Sequence, residues 1–99
     1  MTKFQQLCFD ALVAHVPSGS VISYAGLAKL INHPKAYRAV GTAMNKNPNA
    51  PSVPCHRVVK STGELGDYAF GLSLKQKRLQ EEGVKVINNK IVDFKKICI

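Results

Sequence analysis

Ser23-Tyr24-Ala25-Gly26-Leu27-Ala28-Lys29-Leu30-Ile31-Asn32-His33-Pro34-Lys35-Ala36-Tyr37-Arg38-Ala39-Val40-Gly41-Thr42-Ala43-Met44-Asn45 decides the fold. Ser23 can cap a helix that starts at Tyr24, and Leu27, Ala28, Leu30 and Ile31 fall on the face such a helix would bury. Asn32-His33-Pro34 then makes a tight turn, with Pro34 at the first position of another helix running from Lys35 to about Asn45. Two short helices across a three- or four-residue turn are the sequence form of a helix-turn-helix. In the second of them Ala36, Ala39, Gly41, Thr42 and Ala43 keep the surface low, while Tyr37 and Arg38 stand out. Small residues equally suit tight packing on the preceding helix. Arg38 fits packing less well, because a long cation beside small residues suits insertion between bases or along phosphates.

Upstream, Thr2-Lys3-Phe4-Gln5 has the form of a capping box, and Phe4, Leu7, Cys8, Ala11, Leu12 and Val16 recur at helical spacing. A helix is expected from about residue 3 to 15, with His15 as a surface or capping residue. Pro17-Ser18-Gly19 breaks it, and Ser20-Val21-Ile22 is extended. Downstream, Pro48, Pro51 and Pro54 rule out a helix or a central strand between Asn47 and Pro54. That stiff connection leads to Cys55 and a short strand, Arg57-Val58-Val59-Lys60. Ser61-Thr62-Gly63 turns the chain, and Gly66, Tyr68, Phe70 and Gly71 form a loop. Ser73-Leu74-Lys75-Gln76 reads as a second capping box, opening a helix that Gly83 stops. Val84–Ile87 and Lys90–Phe94 flank Asn88-Asn89, a two-residue hairpin turn with positive φ. The expected architecture is one domain over residues 1–99, mainly α with small β elements.

At 99 residues the chain can bury a single hydrophobic core. No apolar run is long enough for a membrane span, and Met1-Thr2-Lys3-Phe4 does not begin a secretory signal. A soluble protein in a reducing compartment is expected, cytoplasmic or, in a eukaryote, nuclear. Cys8, Cys55 and Cys98 are odd in number and lack paired spacing, which argues against a disulfide framework and a zinc site. The formal charge of +8 is unevenly spread: no acid occurs between Asp10 and Glu64, whereas Lys29, Lys35, Arg38, Lys46, Arg57 and Lys60 do. Such an imbalance around a helix pair points to nucleic acid.

Chemistry concentrates in Pro54-Cys55-His56-Arg57-Val58-Val59. A thiol attacks as its thiolate, and a neighbouring imidazole can take its proton. On an extended strand the two side chains would face opposite ways, so a bend at Pro54 or a bridging water is needed for them to cooperate.

This hexapeptide, preceded by Ser23-Tyr24, Arg38-Ala39-Val40-Gly41 and Asn47-Pro48, resembles the active-site domain of O6-alkylguanine-DNA alkyltransferases. The resemblance runs from the first helix to Gly83. It implies a three-helix winged helix-turn-helix that binds alkylated duplex DNA, flips the O6-alkylguanine and transfers the alkyl group once to its own cysteine, without a cofactor or metal. It assigns Cys55 as nucleophile, His56 as its base through a water, and Glu82 as the group orienting His56. Asn47 would brace the active-site turn. Tyr24 would donate to the base's ring nitrogen and also face DNA beside Arg38 and Ala39, with Arg38 filling the vacated stack. Val58, Tyr68, Ala69 and Phe70 would form the base pocket. Several members carry a serine where this chain has Ala69, which removes a side-chain donor to O6. Arg57 suits a structural ion pair.

The length, and Lys75-Gln76-Lys77-Arg78-Leu79-Gln80-Glu81-Glu82-Gly83, are also similar to alkyltransferase-like proteins, which bind the lesion without accepting the alkyl group and hand it to nucleotide excision repair. Those place tryptophan or alanine at the nucleophile position, whereas this chain keeps Cys55. A winged-helix transcription regulator is the third reading; it would prefer one DNA sequence and ignore alkylation. A monomer is expected in each case. A cysteine hydrolase is disfavoured, since such enzymes usually place the two residues on separate elements.

Overall fold

A computed structural model describes residues 2–50 and 52–99; Met1 and Pro51, the middle proline of the stiff connection, lie outside the described residues. Helix α1 (Lys3–His15) starts at the expected capping box: Gln5 N donates to Thr2 Oγ1 and Thr2 N to Gln5 Oε1, both at 3.1 Å. Its apolar stripe buries Cys8, Phe9 and Leu12 against α2 (Tyr24–Leu30) and α3 (Tyr37–Asn45). His15 is exposed, as expected.

The joint between α2 and α3 differs from the expected one. Asn32, at φ 62°, ends α2 in a Schellman motif: its N–H donates to Lys29 O, and His33 N donates to Ala28 O at 2.9 Å. Pro34 then sits inside a separate turn closed by Ala36 N donating to His33 O. Pro34 therefore does not start the helix. The third helix begins at Tyr37, with Ala36 as a cap that offers no side-chain acceptor.

Strand β1 (Ile22–Ser23) pairs in parallel with β2 (Val58–Val59), Ile22 opposite Val58 and Ser23 opposite Val59. Alternation along these short segments divides the interior. Ile22 and Val58 join the cluster under α1, α2 and α3, whereas Val21 and Val59 join a second cluster with Leu65, Leu79, Val84 and Ile91.

Helix α4 (Leu72–Glu81) starts one residue before Ser73, so the expected capping box is not the start. Gly71 takes the cap position at φ 94° and ψ 146°, a conformation open to glycine, after a turn in which its N–H donates to Tyr68 O. Gly83 does end the helix, through bonds from its N–H to Gln80 O and from Val84 N to Leu79 O. The hairpin of β3 (Val86–Ile87) and β4 (Lys90–Ile91) turns on Asn88 and Asn89, both at positive φ. The strand expected to reach Phe94 stops at Ile91, because Asp93 turns left-handed (φ 56°) into the short α5 (Phe94–Ile97). The tail then lies against Val21, with Ile99 N donating to Val21 O at 2.8 Å. Among the described residues no helix is long and apolar enough to cross a membrane.

Leu65 is wholly buried in the second cluster and ties the loop after β2 to the hairpin through its N–H bond to Asn89 O. Leu65→Ala should cost about 2–5 kcal/mol. The thermal midpoint, followed by circular dichroism, should fall by roughly 4–8 °C per kcal/mol. An unchanged midpoint would show that this cluster does not contribute to cooperative stability.

Candidate active site

Cys55–Arg57 forms a single 3₁₀ turn rather than the start of a strand, so β2 is confined to Val58–Val59 and excludes Arg57 and Lys60. Pro54 (φ −82°, ψ 64°) bends the chain into this turn, which Arg57 N closes by donating to Pro54 O at 3.0 Å. The two-way alternation of a strand therefore does not separate Cys55 from His56, and both are 2% exposed. The approach is braced by buried Asn47: its Nδ2 donates to Val53 O at 2.8 Å, and its Oδ1 accepts from Asn49 N at 2.9 Å.

Glu82 comes to the same turn from the far end of α4, where the left-handed Gly83 fixes it as the C-cap. His56 Nε2 lies 3.0 Å from Glu82 Oε2. Arg57 grips the carboxylate from its other side, Nε to Oε1 at 2.9 Å and Nη2 to Oε2 at 2.6 Å, and its Nη1 reaches Val16 O at 2.8 Å. Burial alone would raise the Glu82 carboxyl, but the bonds from Arg57 and His56 hold it below its ordinary value. An ionised carboxylate only accepts, so Nε2 carries the hydrogen and Nδ1 keeps its lone pair. That Nδ1 is buried and has no hydrogen-bond partner among the described residues. Burial lowers the His56 pKa, outweighing Glu82's opposing pull, which keeps the ring neutral near pH 7.

Lys75, which the sequence offers as part of a cap and of the segment similar to alkyltransferase-like proteins, is 0% exposed and belongs to this site. Its Nζ donates to Val58 O at 2.7 Å and to Asp67 O at 3.0 Å. The rings of Tyr24 and Tyr68 lie 5.8 and 5.9 Å away, within cation–π range. Burial pulls the ammonium down to about 8, with Cys55 and Asp67 pulling the other way. Tyr24 Oη also donates to Asp67 O, at 3.3 Å, and burial foremost, then Asp67 and Cys55, pushes its hydroxyl up to about 12. Arg78 bonds the Tyr68 hydroxyl and stacks over the Tyr68 and Phe70 rings, which meet edge to face at 5.4 Å. Burial, then the adjoining Cys55, raises the Tyr68 hydroxyl, while Arg78 opposes both. Val58 has its side chain wholly in the core, whereas Ala69 and Phe70 are exposed, Phe70 by 50%.

Arg38 stands apart from the thiol. With Tyr24, Tyr37, Gly41, Thr42, Asn45, Lys60 and Asp67 it lines an open hollow of ≈ 330 Å³. Ala39 is exposed on α3 but does not line this hollow.

Residues 3–84 match the family described as 6-O-methylguanine DNA methyltransferase, DNA binding domain. The chain belongs to this family. A methylated-DNA--protein-cysteine methyltransferase from Methanosarcina mazei is 46% identical over 86 residues, covering 85% of this chain and 54% of the relative. The chain thus spans about half the length of the curated relatives it matches. The crystal structure of Mycobacterium tuberculosis OGT in complex with DNA is 43% identical with a TM-score of 0.80, covering 83% of this chain and 50% of that one. S. pombe Atl1, in complex with damaged DNA containing O6-carboxymethylguanine, is 28% identical with a TM-score of 0.88, covering 100% of this chain and 96% of that one.

Within this 6-O-methylguanine DNA methyltransferase domain, Arg57 makes the structural ion pair expected of it, with Glu82, while Lys75 and Arg78 complete the site without having been singled out by the sequence. A signal existed for Lys75. It sits four residues before Leu79, on the face that α4 turns inward, where a charge demands partners.

The Glu82 cluster should make the domain acid-labile. His56 and Glu82 both have folded pKa values below their ordinary 6.5 and 4.5, so the unfolded chain takes up protons first as pH falls. Stability is therefore full above about 6.5, declines below it, and declines again below about 4.5. Glu82→Gln strands the Arg57 cation and should cost roughly 3 kcal/mol at pH 7, while removing the lower step. Melting curves from pH 8 to 3.5 test this; an equal midpoint at pH 7 and pH 4 would refute it.

Proposed function

We propose that this domain repairs O6-alkylguanine in duplex DNA by moving the alkyl group irreversibly onto Cys55. The reading rests above all on the imidazole that Glu82 orients and burial keeps neutral, with a bare Nδ1 lone pair, next in the chain to a buried thiol. His56 takes the thiol proton through a water. The thiolate sulfur attacks the alkyl carbon, the carbon–O6 bond breaks, and its electron pair passes to the guanine. Tyr24 hydrogen-bonds the departing base and relays to it the proton that His56 took from the thiol. His56 and Tyr24 both end neutral, and the products are an S-alkylcysteine and unmodified guanine. The Tyr24 hydroxyl, held unionised by burial, stays a hydrogen-bond donor to the base. No second substrate restores the thiol, so each molecule acts once.

In this reading Arg38 fills the stack from the minor groove after the guanine leaves, and Tyr24 and Ala39 face the same duplex. Asn47 keeps the turn carrying Cys55 in shape. Backbone groups at Val58 and Ala69 read the edge of the flipped base, and Tyr68 and Phe70 wall its pocket. With alanine at 69, the O6 atom loses a hydroxyl donor, and the exposed Phe70 ring offers an apolar wall instead. Because Cys55 is almost covered, the Tyr68–Phe70 loop yields when the base enters.

A second reading draws support from the match in extent with S. pombe Atl1, which spans 96% of that chain. There the domain would bind the lesion without transfer and pass it to excision repair. The retained Cys55 favours transfer.

Intact mass measurement after mixing the protein with duplex containing O6-methylguanine separates the readings. One methyl group should appear on Cys55, and Cys55→Ser should bind the duplex without gaining it. An unchanged mass with retained preference for the lesion would replace transfer by sensing. Binding that follows DNA sequence and ignores the lesion would turn both aside in favour of a regulator.

A further inference from the structure

Tyr37 has no role in the chemistry above, yet it opens α3 with 47% of its surface exposed. Among the described residues no aromatic ring stacks on it and no cation covers it. It stands on the ridge between two hollows. One is the ≈ 330 Å³ hollow that Arg38 lines; the other, of ≈ 370 Å³, is formed with Ala25, Ser61 and Thr62. Tyr24, Tyr37 and Lys60 border both. The floor beside Tyr37 is low, because Gly41 has no side chain and a Cβ there would already meet the Tyr24 ring at 3.9 Å. Arg38 and Lys60 supply positive charge, against one lining acid, Asp67. A free aromatic face beside cations, over a shallow double hollow, suits a flat group on an anionic backbone.

We infer that Tyr37 is a nucleotide-stacking contact, covering the face of the nucleotide next to the one whose place Arg38 takes, on a strand lying along the two hollows. The inference rests on the proposed reading of α3 as the DNA-facing helix. Tyr37 and Arg38 are successive residues, about 100° apart around the helix, so they enter side by side without competing for one space. Stacking tolerates any base, since each has a π face, and so it adds affinity without sequence preference. It also adds affinity that salt does not screen, unlike a phosphate contact from Lys60.

Fluorescence anisotropy with a labelled duplex containing O6-methylguanine, at several salt concentrations, tests this on the full chain. Tyr37→Ala should weaken binding about tenfold to a hundredfold with the log–log salt slope unchanged. Tyr37→Phe should stay within about twofold, because the ring and not the hydroxyl makes the contact. Lys60→Ala should instead flatten the slope by about 1. A 2-aminopurine placed beside the lesion should be quenched by wild type and not by Tyr37→Ala. Labelling of Cys55 by free O6-benzylguanine, which needs no duplex, reports folding and chemistry in each variant and should not change. If wild type binds the duplex and Tyr37→Ala binds equally well, or Tyr37→Phe is as weak as Tyr37→Ala, the stacking contact is overturned alone. If wild type does not bind the duplex, the DNA-facing reading of α3 falls and the inference with it.

Discussion

The Glu82 carboxylate is the constraint on which the site depends. It accepts from His56 on one side and Arg57 on the other, and Arg57 reaches on to Val16 O at the end of α1. Three separate parts of the chain, α1, the 3₁₀ turn and α4, are thereby fixed to one group. A carboxylate at a helix C-terminus is placed against the helix dipole. The two-pronged guanidinium contact offsets that, and it explains why the residue beside His56 is an arginine rather than a lysine, whose ammonium has no planar fork. The same grip lowers the carboxyl's pKa and so dictates which imidazole nitrogen bears the proton. Structural ion pair and chemical preparation of His56 are one interaction.

Lys75 does for the opposite wall what Glu82 does for the turn. Burying an ammonium costs several kcal/mol unless its protons are taken up. Two carbonyls accept from it, Val58 O from the strand after the turn and Asp67 O from the loop, with the Tyr24 and Tyr68 rings alongside. Strand, loop and both tyrosines are held around Cys55 by a cation that no water reaches. The site is thus clasped by one half-buried anion and one buried cation, the first from the C-cap of α4 and the second from within it.

The helix pair, the hairpin at Asn88-Asn89, the stop at Gly83 and the bend at Pro54 were legible because each rests on local backbone chemistry: an apolar stripe, a left-handed residue, a fixed φ. The misplaced starts of α3 and α4 share a different cause. Pro34 and Ser73 are each compatible with a helix start, but the exposed Asn32 and Gly71 had already set the direction of the chain by adopting positive φ. Cys55 and His56 could be found by type and adjacency. The partners of Arg57, and the burial of Lys75, depend on contacts with Glu82, 25 residues away, and with Val58, 17 residues away, which no local pattern encodes.

Length and chemistry point in different directions in this family, and the packing shows which should weigh more. The extent shared with S. pombe Atl1 includes residues 85–99, beyond the family match at 3–84. Those residues pack through Ile91, Phe94, Ile97 and Cys98 on the second cluster and bond to Val21 and Gly63. Cys55 lies in the first cluster, with Tyr68 against it. A tail that completes one cluster informs stability and the course of the chain; it makes no contact that would permit or forbid attack by a thiol in the other. Chemistry resides in the site and not in the outline of the fold. The thiol, the oriented imidazole and the two clasping charges therefore carry more weight for what the domain does than its matching length.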